Sequence, residues 1–324
     1  MLIAVNYHYI RERFNEPYPS IFGVTPIEFA EQLDVLGTEA TFVGASDVLE
    51  AIDGGGRLPE RAAMITFDDG LAEQFELAWP ILKAKGIPAL FFVNTKPIEE
   101  HSITATHKIH IVRAYASTRD ILETIQRFFD EQSLALSLPD ASEACSVYRY
   151  DEPEAAQLKY FLNYRLDEQL KDDVLNACLA DLGFDERELS RKLYMSRAQL
   201  QILADNDSLG AHGHTHRALG LMSDQEARDD VELSICKLRE WTGITVPALS
   251  YPFGFQDACS QAAATAAQDL GIRFAFTMER AANTDLQSPM FLARFSNNDA
   301  VPNGGSSVSG RIWNDIEIRS WFRA

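Results

Sequence analysis

Short apolar runs alternate with amphipathic patterns over the first 95 residues of the chain. The runs at Leu2–Asn6, Ala63–Phe67 and Pro88–Val93 have the length and the apolar content of buried strands. Between the first two runs, Thr25–Glu28 contains a capping box with proline at the first helical position, which predicts a helix as far as about Leu36. This alternation favours parallel strands that are joined by helical crossovers.

The alternation stops between residues 96 and 195, where the periodic segments have helical spacing. We interpret this stretch as a helical insertion, which could serve as a lid or as an oligomer interface. Strand patterns return after Ser196, and the last one is predicted at Pro289–Phe295. The predicted organisation is a barrel formed by residues 1–95 and 196–300, with the insertion at 96–195 and a C-terminal tail at 301–324.

The overall composition is that of an ordinary globular protein, with 46% hydrophobic and 24% charged residues. The formal net charge of −19 disfavours binding to nucleic acid and to anionic membranes, because both are polyanionic. The four cysteines form no Cys-x-x-Cys pair, which indicates reduced thiols. The N-terminus has neither a basic leader nor a long apolar segment, so we expect no membrane insertion and a cytoplasmic location.

Two neighbouring carboxylates, Asp68 and Asp69, follow the second apolar run and are followed by Gly70. Adjacent carboxylates at the end of a buried strand repel each other and lose hydration, a cost that a bound cation or a proton would offset. The glycine permits a sharp turn and leaves room for a ligand. The alternative interpretation is an Asp-Gly turn that caps the following helix.

A second polar cluster, Gly210–His216, contains three of the seven histidines of the chain. His212 and His216 are four residues apart, so a turn can direct both imidazoles to one point. With a carboxylate of Asp68 or Asp69 they would leave coordination positions open, and such N/O ligands suit Zn²⁺, Co²⁺, Ni²⁺ or Fe²⁺. An ion of this kind lowers the pKa of bound water from ~15.7 toward ~7, and the second aspartate can accept the proton. A plain polar loop is the alternative for the histidines.

Several of these segments resemble the motifs of the NodB-like polysaccharide deacetylases, carbohydrate esterase family four. Thr66–Gly70 resembles the first motif of that family, and His212–His216, with its His-x-x-x-His spacing, resembles the second. Tyr251–Gly254 is similar to the third motif. The resemblance spans about residues 1–95 and 196–296, and it does not cover the predicted insertion.

The resemblance implies a distorted (β/α)7 barrel, the NodB homology domain, that hydrolyses N-acetyl groups of amino sugars. By motif position, Asp68 would be the catalytic base, whereas Asp69, His212 and His216 would bind a divalent metal, with Zn²⁺ the expected ion. Phe253 would offer its backbone N–H to the oxyanion of the tetrahedral intermediate. These motifs fall at the C-terminal ends of predicted strands, where barrel enzymes have their active sites.

The chain departs from the family pattern in two respects. The third motif often includes an arginine that holds the catalytic aspartate, but Leu249–Tyr251 stand there, so Arg294 is a candidate from another strand. A plain core-edge arginine is the alternative. The late Leu-x-His motif, which supplies a catalytic acid in many members, is absent because no histidine follows His216. His8 is a candidate substitute acid or substrate contact, with a structural histidine as the alternative.

Three functions remain open at this stage. The first is metal-dependent removal of an N-acetyl group from an amino sugar in a polysaccharide or glycan precursor, with release of acetate. The second is an amidase that acts on a small non-sugar amide, because a barrel with a metal site does not dictate its substrate. The third is an inactive carbohydrate-binding homologue, against which the retention of both Asp68 and Asp69 argues.

Overall fold

The computed structural model describes residues 1–149, 151–302, 305, 307–310, 312 and 313 of the chain. The chain divides into two compact units. The first unit contains residues 1–13, residues 23–100 and the described residues from 191 onward. The second unit contains residues 14–22 and 101–190, and thus includes a short N-terminal segment. Of the predicted tail, residues 303, 304, 306, 311 and 314–324 lie outside the described residues.

The first unit contains all the strands of the described chain, and most of them are short. In chain order the strands are β1 (Leu2–Tyr7), β2 (Tyr9–Ile10), β3 (Gly23–Val24), β4 (Thr41–Phe42), β5 (Ala62–Phe67), β6 (Ala89–Val93), β7 (Leu209–Ala211), β8 (Ala248–Ser250), β9 (Phe274–Phe276) and β10 (Phe295–Ser296).

Seven strands form one parallel path in the order β10-β1-β5-β6-β7-β8-β9. The short strand β4 pairs with the start of β5, and β2 pairs with β3 in a separate two-stranded sheet. The parallel path with helical crossovers confirms the fold class predicted from the sequence, a distorted (β/α)7 barrel.

Residues 292–296, which include β10, lie between β9 and β1. Leu292 donates its N–H to Ala275 and accepts one from Thr277, each at 2.8 Å, so this residue pairs with β9. Phe295 and Ser296 then pair with β1. This segment therefore closes the barrel between β9 and β1, and we call it the seam. Arg294 lies within the seam.

The described α-helices are distributed over both units. In chain order they are α1 (Pro26–Gly37), α2 (Ala45–Ile52), α3 (Trp79–Lys85), α4 (Thr95–Glu100), α5 (Ala105–Tyr115), α6 (Thr118–Glu131), α7 (Ala141–Val147), α8 (Pro153–Tyr160), α9 (Glu168–Asp181), α10 (Glu186–Leu193), α11 (Arg197–Ala204), α12 (Asp224–Thr242), α13 (Gln261–Asp269) and α14 (Asn297–Ala300). No helix among the described residues is long and apolar enough to cross a bilayer.

Two local predictions have different outcomes. Helix α1 begins as predicted, because the side chain of Thr25 accepts the N–H of Glu28 and the carboxylate of Glu28 accepts the N–H of Thr25. The strand predicted at Pro289–Phe295 is wrong. Pro289–Phe291 forms a 3₁₀ turn, and the regular strand is only β10, because proline cannot donate to a strand ladder and starts a helical turn instead.

Every second residue of the central strands points into the barrel. These inward residues are apolar along most of each strand and polar at its carboxyl end. The apolar core contains Leu2 and Ala4 of β1, Ala62 and Met64 of β5, and Leu90 and Phe92 of β6. Successive side chains of a strand point to opposite faces, so the next positions on the same face are Asn6, Thr66 and Asn94. These three polar residues are 1% exposed or less. A buried polar layer therefore covers the carboxyl end of the apolar core.

The second unit is helical throughout its described regular structure, from α5 to α9. Its interior contains the ammonium group of Lys108, which is 1% exposed. This group lies 2.6 Å from oxygens of Asp172 and Asn176 and 2.9 Å from a carboxylate oxygen of Glu186. These partners satisfy a buried cation within the unit, which accounts for the lysine without a functional role.

Candidate metal centre and active site

The adjacent residues Asp68 and Asp69 lie immediately after β5, at the carboxyl end of the sheet. Asp69 has a φ of 78°, and Gly70 follows with a φ of 66°, so the backbone turns sharply after Asp68. A Cβ atom at Gly70 would lie 2.9 Å from a methyl group of Val93, and only glycine fits both this space and this backbone conformation. The turn separates the environments of the two carboxylates.

Asp69 is grouped with His212 and His216. Its Oδ1 atom lies 3.5 Å from Nε2 of His212 and 3.1 Å from Nε2 of His216. Atoms that bind one tetrahedral ion at ~2.0–2.2 Å are roughly 3.3–3.6 Å apart. The 3.5 Å separation falls in this range, the 3.1 Å separation is slightly shorter, and the donor atoms of all three residues lie within 4.8 Å of one another, so the cluster is close to the spacing of a shared metal ion. Within the described part of the chain, this is the one group of three His, Cys, Asp or Glu side chains whose donor atoms converge.

The environment of His212 favours positive charge. Its Nδ1 atom lies 2.8 Å from the carbonyl oxygen of Ser250, which places the proton on Nδ1 and leaves Nε2 free to face Asp69. Burial lowers the pKa of His212, but the charges of Asp68 and Asp69 outweigh burial, so the pKa is raised overall. Two oriented imidazoles and a buried carboxylate therefore fit a divalent cation of the zinc type.

The loop between His212 and His216 is held by Asp230 of α12, which is 5% exposed. The Asp230 carboxylate accepts the backbone N–H of His214 at 2.7 Å and that of Thr215 at 3.0 Å. It also accepts the hydroxyl of Thr215. Gly213 has a φ of 72°, and a Cβ atom there would lie 2.8 Å from this carboxylate. The close packing fixes the loop that carries both imidazoles.

Asp68 forms a buried, bidentate ion pair with Arg294. Nη1 and Nη2 of the guanidinium lie 2.9 and 2.8 Å from the two carboxylate oxygens. The amide of Asn6 donates to Asp68 at 3.0 Å, and Arg294 also donates to Ser250 Oγ at 2.8 Å. Burial would raise the pKa of Asp68, but the charge of Arg294, followed by that of His212, lowers the pKa to about 2. Asp68 is therefore a carboxylate at neutral pH.

Phe253 lies in the turn after β8, with a φ of 63° and a ring 5.0 Å from the ring of His216. Within the described chain, its backbone N–H makes no hydrogen bond, and 46% of the residue is exposed. The preceding Tyr251 is fixed, because it stacks on Phe291 and its hydroxyl donates to Met290. A rigid turn thus presents an uncommitted N–H beside the histidine cluster.

His8 lies at the rim of the site. It follows β1 directly and is exposed, and its carbonyl oxygen accepts the amide of Gln74 at 2.9 Å. The same amide donates to the carbonyl of Asp68 at 2.6 Å. The imidazole of His8 contributes only a small part of the lowering of the Asp68 pKa. Gln74 therefore ties the backbone of His8 to the backbone of the aspartate pair.

Backbone strain is concentrated at this site. Among the described residues, six that are not glycine have a positive φ, and three of these are Asp69, His216 and Phe253. Such conformations cost energy and persist only where the surrounding structure enforces them. The strain supports a functional purpose for the three turns that present these residues.

The structure brings together most of the residues selected from the sequence. Direct contacts link Asp68 with Arg294 and Asp69 with both histidines, Phe253 packs on the ring of His216, and His8 lies at the rim. The sequence did not reveal the polar residues that support them. Each of these supporting residues is a buried polar residue in an otherwise apolar strand or helix face, and this is the signal by which they could have been found. The residues are Asn6, Thr66, Ser250, Asp230 and Gln74.

The fold is a parallel barrel, and at its carboxyl end a candidate metal-binding cluster lies beside a carboxylate that is paired with an arginine. The sequence profile of the polysaccharide deacetylases matches residues 55–130 and 192–275, which include the aspartate pair and both histidines. The chain belongs to the polysaccharide deacetylase family, as its motifs indicated. No curated protein sequence matches the chain significantly.

Solved structures with the same fold cover almost all of the chain. The Streptococcus pyogenes deacetylase PplD, solved with acetate, is 13% identical over 98% of both chains, with a TM-score of 0.56. IcaB from Ammonifex degensii is 17% identical over 100% of this chain and 97% of its own, with a TM-score of 0.54. The BpsB deacetylase domain from Bordetella bronchiseptica is 16% identical over 91% of this chain and 95% of its own, with a TM-score of 0.54. At these identities the likeness establishes the fold.

Proposed function

We propose that this protein is a metal-dependent hydrolase that removes the N-acetyl group from an amino sugar of a glycan and releases acetate. The observation that carries the proposal is the convergence of Asp69, His212 and His216 within a buried cluster, beside Asp68 and Arg294. The polysaccharide deacetylase profile supports the class of substrate. Acetate, the product of such a reaction, is present in the solved structure of PplD.

Asp69, His212 and His216 would hold the ion. A divalent metal supplies Lewis acidity there, which polarises a carbonyl group and acidifies water. Asp68 is ionised at neutral pH and is 4.0 Å from Nε2 of His212, so it can accept the proton of an attacking water molecule beside the ion. Arg294 and Asn6 hold the two oxygens of Asp68 in one orientation throughout.

Phe253 and His8 would complete the reaction. The exposed N–H of Phe253 can donate to the oxygen that becomes negative when water attacks the acetyl carbon. A proton must then reach the nitrogen of the leaving amine. His8 lies at the end of β1 on the Asp68 side of the site, and it is the candidate donor in the absence of a late histidine motif. The cytoplasmic location and the role of the helical unit in oligomer formation stay predictions.

Metal content and acetate release, measured on the same preparation, test the proposal. Protein purified without chelator is expected to contain about one ion per chain by mass spectrometry. Acetate release from N-acetylglucosamine oligomers should stop after chelation and return with added Zn²⁺ or Co²⁺. A bound ion with acetate release only from non-sugar amides would indicate an amidase that does not act on sugars. Absence of a bound ion under all conditions would contradict the proposed site.

A further inference from the structure

One buried side chain, that of Gln74, joins the backbone of His8 to the backbone of Asp68. Its amide nitrogen donates to the carbonyl oxygen of His8 at 2.9 Å and to that of Asp68 at 2.6 Å. An amide NH₂ group has two hydrogens, so both of its donors are used and the two carbonyl groups are held on one nitrogen. In the reaction proposed above, these carbonyl groups belong to the residue that supplies a proton and to the residue that accepts one.

Packing alone does not explain a glutamine at this position. Gln74 is fully buried, and within the described chain its amide oxygen has no hydrogen-bond partner. A buried acceptor without a partner is destabilising, and an apolar side chain of similar length would avoid that cost. Gln74 also begins a π-helix, Gln74–Ala78, in which its carbonyl oxygen accepts the N–H of Trp79. Helices of this kind are rare and occur frequently at functional sites. These features indicate that the two hydrogen bonds of the amide nitrogen are the reason for the residue.

The preceding residue, Glu73, holds the segment that follows His8. One of its carboxylate oxygens accepts the N–H of Ile10 at 3.0 Å, and the other accepts the Nε–H of Arg11 at 2.8 Å. The side chains of Glu73 and Arg11 are only 17% and 20% exposed, so solvent screens this ion pair incompletely. Two adjacent residues thus hold the backbone from His8 to Arg11 at both ends, and we call Glu73 and Gln74 the clamp.

The imidazole of His8 is exposed, whereas its backbone is fixed by the clamp. An exposed side chain packs against few neighbours, so the position of its backbone largely sets where it can reach. Burial has the largest effect on the pKa of Asp68 and raises it, and the charge of His8 is among the smaller effects that lower it. The imidazole therefore lies within electrostatic reach of Asp68. A shift of the backbone at His8 would change the distance between the two groups.

We propose that the clamp positions His8 against Asp68 for protonation of the leaving amine, with Gln74 as the principal positioning residue. The inference rests on the proposed function and adds the residues through which His8 acts. When the C–N bond breaks, its electron pair goes to the nitrogen, and the imidazole of His8 gives that nitrogen a proton. His8 then takes a proton from solvent, and Asp68 releases to solvent the proton that it accepted from the attacking water. Gln74 itself gives and takes no proton.

The leaving group of the substrate tests this inference, because a nitrophenolate departs without a proton and an amine does not. Gln74→Met should lower kcat for N-acetylglucosamine oligomers by about 10–100-fold, the effect of a small misplacement, with KM and metal content unchanged. Hydrolysis of nitrophenyl acetate should fall far less. Glu73→Gln removes a charge but keeps one acceptor oxygen, and it should give a smaller loss with the same selectivity. Gln225→Met, on the exposed face of α12, is the matched control and should behave like the parent protein.

A double substitution shows whether Gln74 acts through His8. His8→Ala should also reduce amide turnover far more than ester turnover, and adding Gln74→Met should cause no further loss. Equal losses on amide and ester, or losses that multiply in the double variant, would show that Gln74 only supports the fold, and this would overturn the inference. If Gln74→Met does not fold, the same two criteria apply to Glu73→Gln.

A third substrate, acetanilide, separates failure of the clamp from failure of the proposed function. A parent protein that releases acetate from the ester and from acetanilide, but not from the glycan, would refute the proposed function. A selective loss on acetanilide in Gln74→Met would then still uphold the clamp, because acetanilide also has an amine as its leaving group. If the parent acts on the glycan but His8→Ala shows no selectivity between amide and ester, the inference is overturned and the proposed hydrolysis stands.

Discussion

Asp68 and Asp69 are neighbours in sequence but have different partners. Asp68 is held by a guanidinium and an amide, whereas Asp69 faces two imidazoles. A carboxylate already paired with Arg294 is a poor metal ligand and a well-oriented proton acceptor, whereas a carboxylate that faces two imidazoles is placed to share a metal ion with them. The sequence alone could not decide between the two aspartates on physical grounds, since the assignment depends on the turn at Asp69.

Substitution of single residues should separate these roles. Asp68→Asn is expected to retain about one ion per chain and to lower kcat by about 10²–10⁴-fold, the contribution of a positioned base. His212→Ala should lose both the ion and the activity. Metal analysis and acetate release on the same samples check this, with Asp229→Asn on the surface of α12 as control. Loss of the ion from Asp68→Asn would mean that the roles are exchanged.

Arg294→Met should alter the pH dependence of turnover. Burial has the largest effect on the pKa of Asp68 and raises it, and Arg294 together with His212 more than offsets that rise, so removal of Arg294 should move the pKa of Asp68 upward from about 2. Asp68 must be ionised to accept a proton, and the acid limb of kcat/KM should therefore move to higher pH. The variant should also lose about 3–5 kcal/mol of stability, because a buried charge is left unpaired.

Two comparisons make this result specific. Arg294→Lys keeps the positive charge but not the bidentate geometry, and its acid limb should lie between those of the parent and the methionine variant. Arg273→Met removes an exposed ion pair with Asp53 and should leave the profile unchanged. A uniform loss of activity at every pH, without displacement of the acid limb, would show that Arg294 serves only the fold.

Among the secondary structure elements, α12 has the clearest link to the site. Its residue Asp230 satisfies three donors of the loop between His212 and His216, so helix and ligand loop form one unit. Asp230→Ala is expected to lower metal affinity by about 10–100-fold, the usual effect of losing a group that orients metal ligands. Excess metal should restore most of the activity, because no reacting group has been removed.

The neighbour of Asp230 provides a matched control. Asp229 is exposed on the same helix, and Asp229→Ala should bind metal like the parent protein. Chelator competition measures the affinity of each variant, and circular dichroism checks that the helix is intact. If Asp230→Ala kept full metal affinity, the loop would be held by its other contacts, such as the bond of Ser234 to the carbonyl of Gly213.

Strand periodicity made much of the fold predictable. Each apolar run of the first 95 residues became a strand of the barrel, and the polar residues at the run ends marked the carboxyl edge. Arg294 could only be a candidate, because its position depends on how residues 292–296 close the barrel, and this pairing spans nearly the whole sequence. The strand predicted at Pro289–Phe295 was too long, because Pro289 begins a 3₁₀ turn before the seam.

Metal binding should raise the unfolding temperature of the whole molecule. Asp69 follows β5, whereas His212 and His216 follow β7 far along the sequence, so an ion that bridges them binds the folded barrel and not the unfolded chain. At a free Zn²⁺ concentration of 100 times Kd, the expected gain is about 2.7 kcal/mol, which for a chain of 324 residues is roughly 4 °C in the unfolding temperature. Scanning calorimetry with and without metal measures the shift. His212→Ala should show no shift, and an equal shift in that variant would indicate binding elsewhere.

The seam at residues 292–296 also has a consequence for the newly made chain. Arg294 is synthesised 226 residues after Asp68, and a growing chain folds from its N-terminal side. For most of translation, therefore, Asp68 has no guanidinium beside it. Residues 292–296 pair with both β9 and β1, so the ion pair of Asp68 with Arg294 and the closure of the barrel form in the same late step of folding.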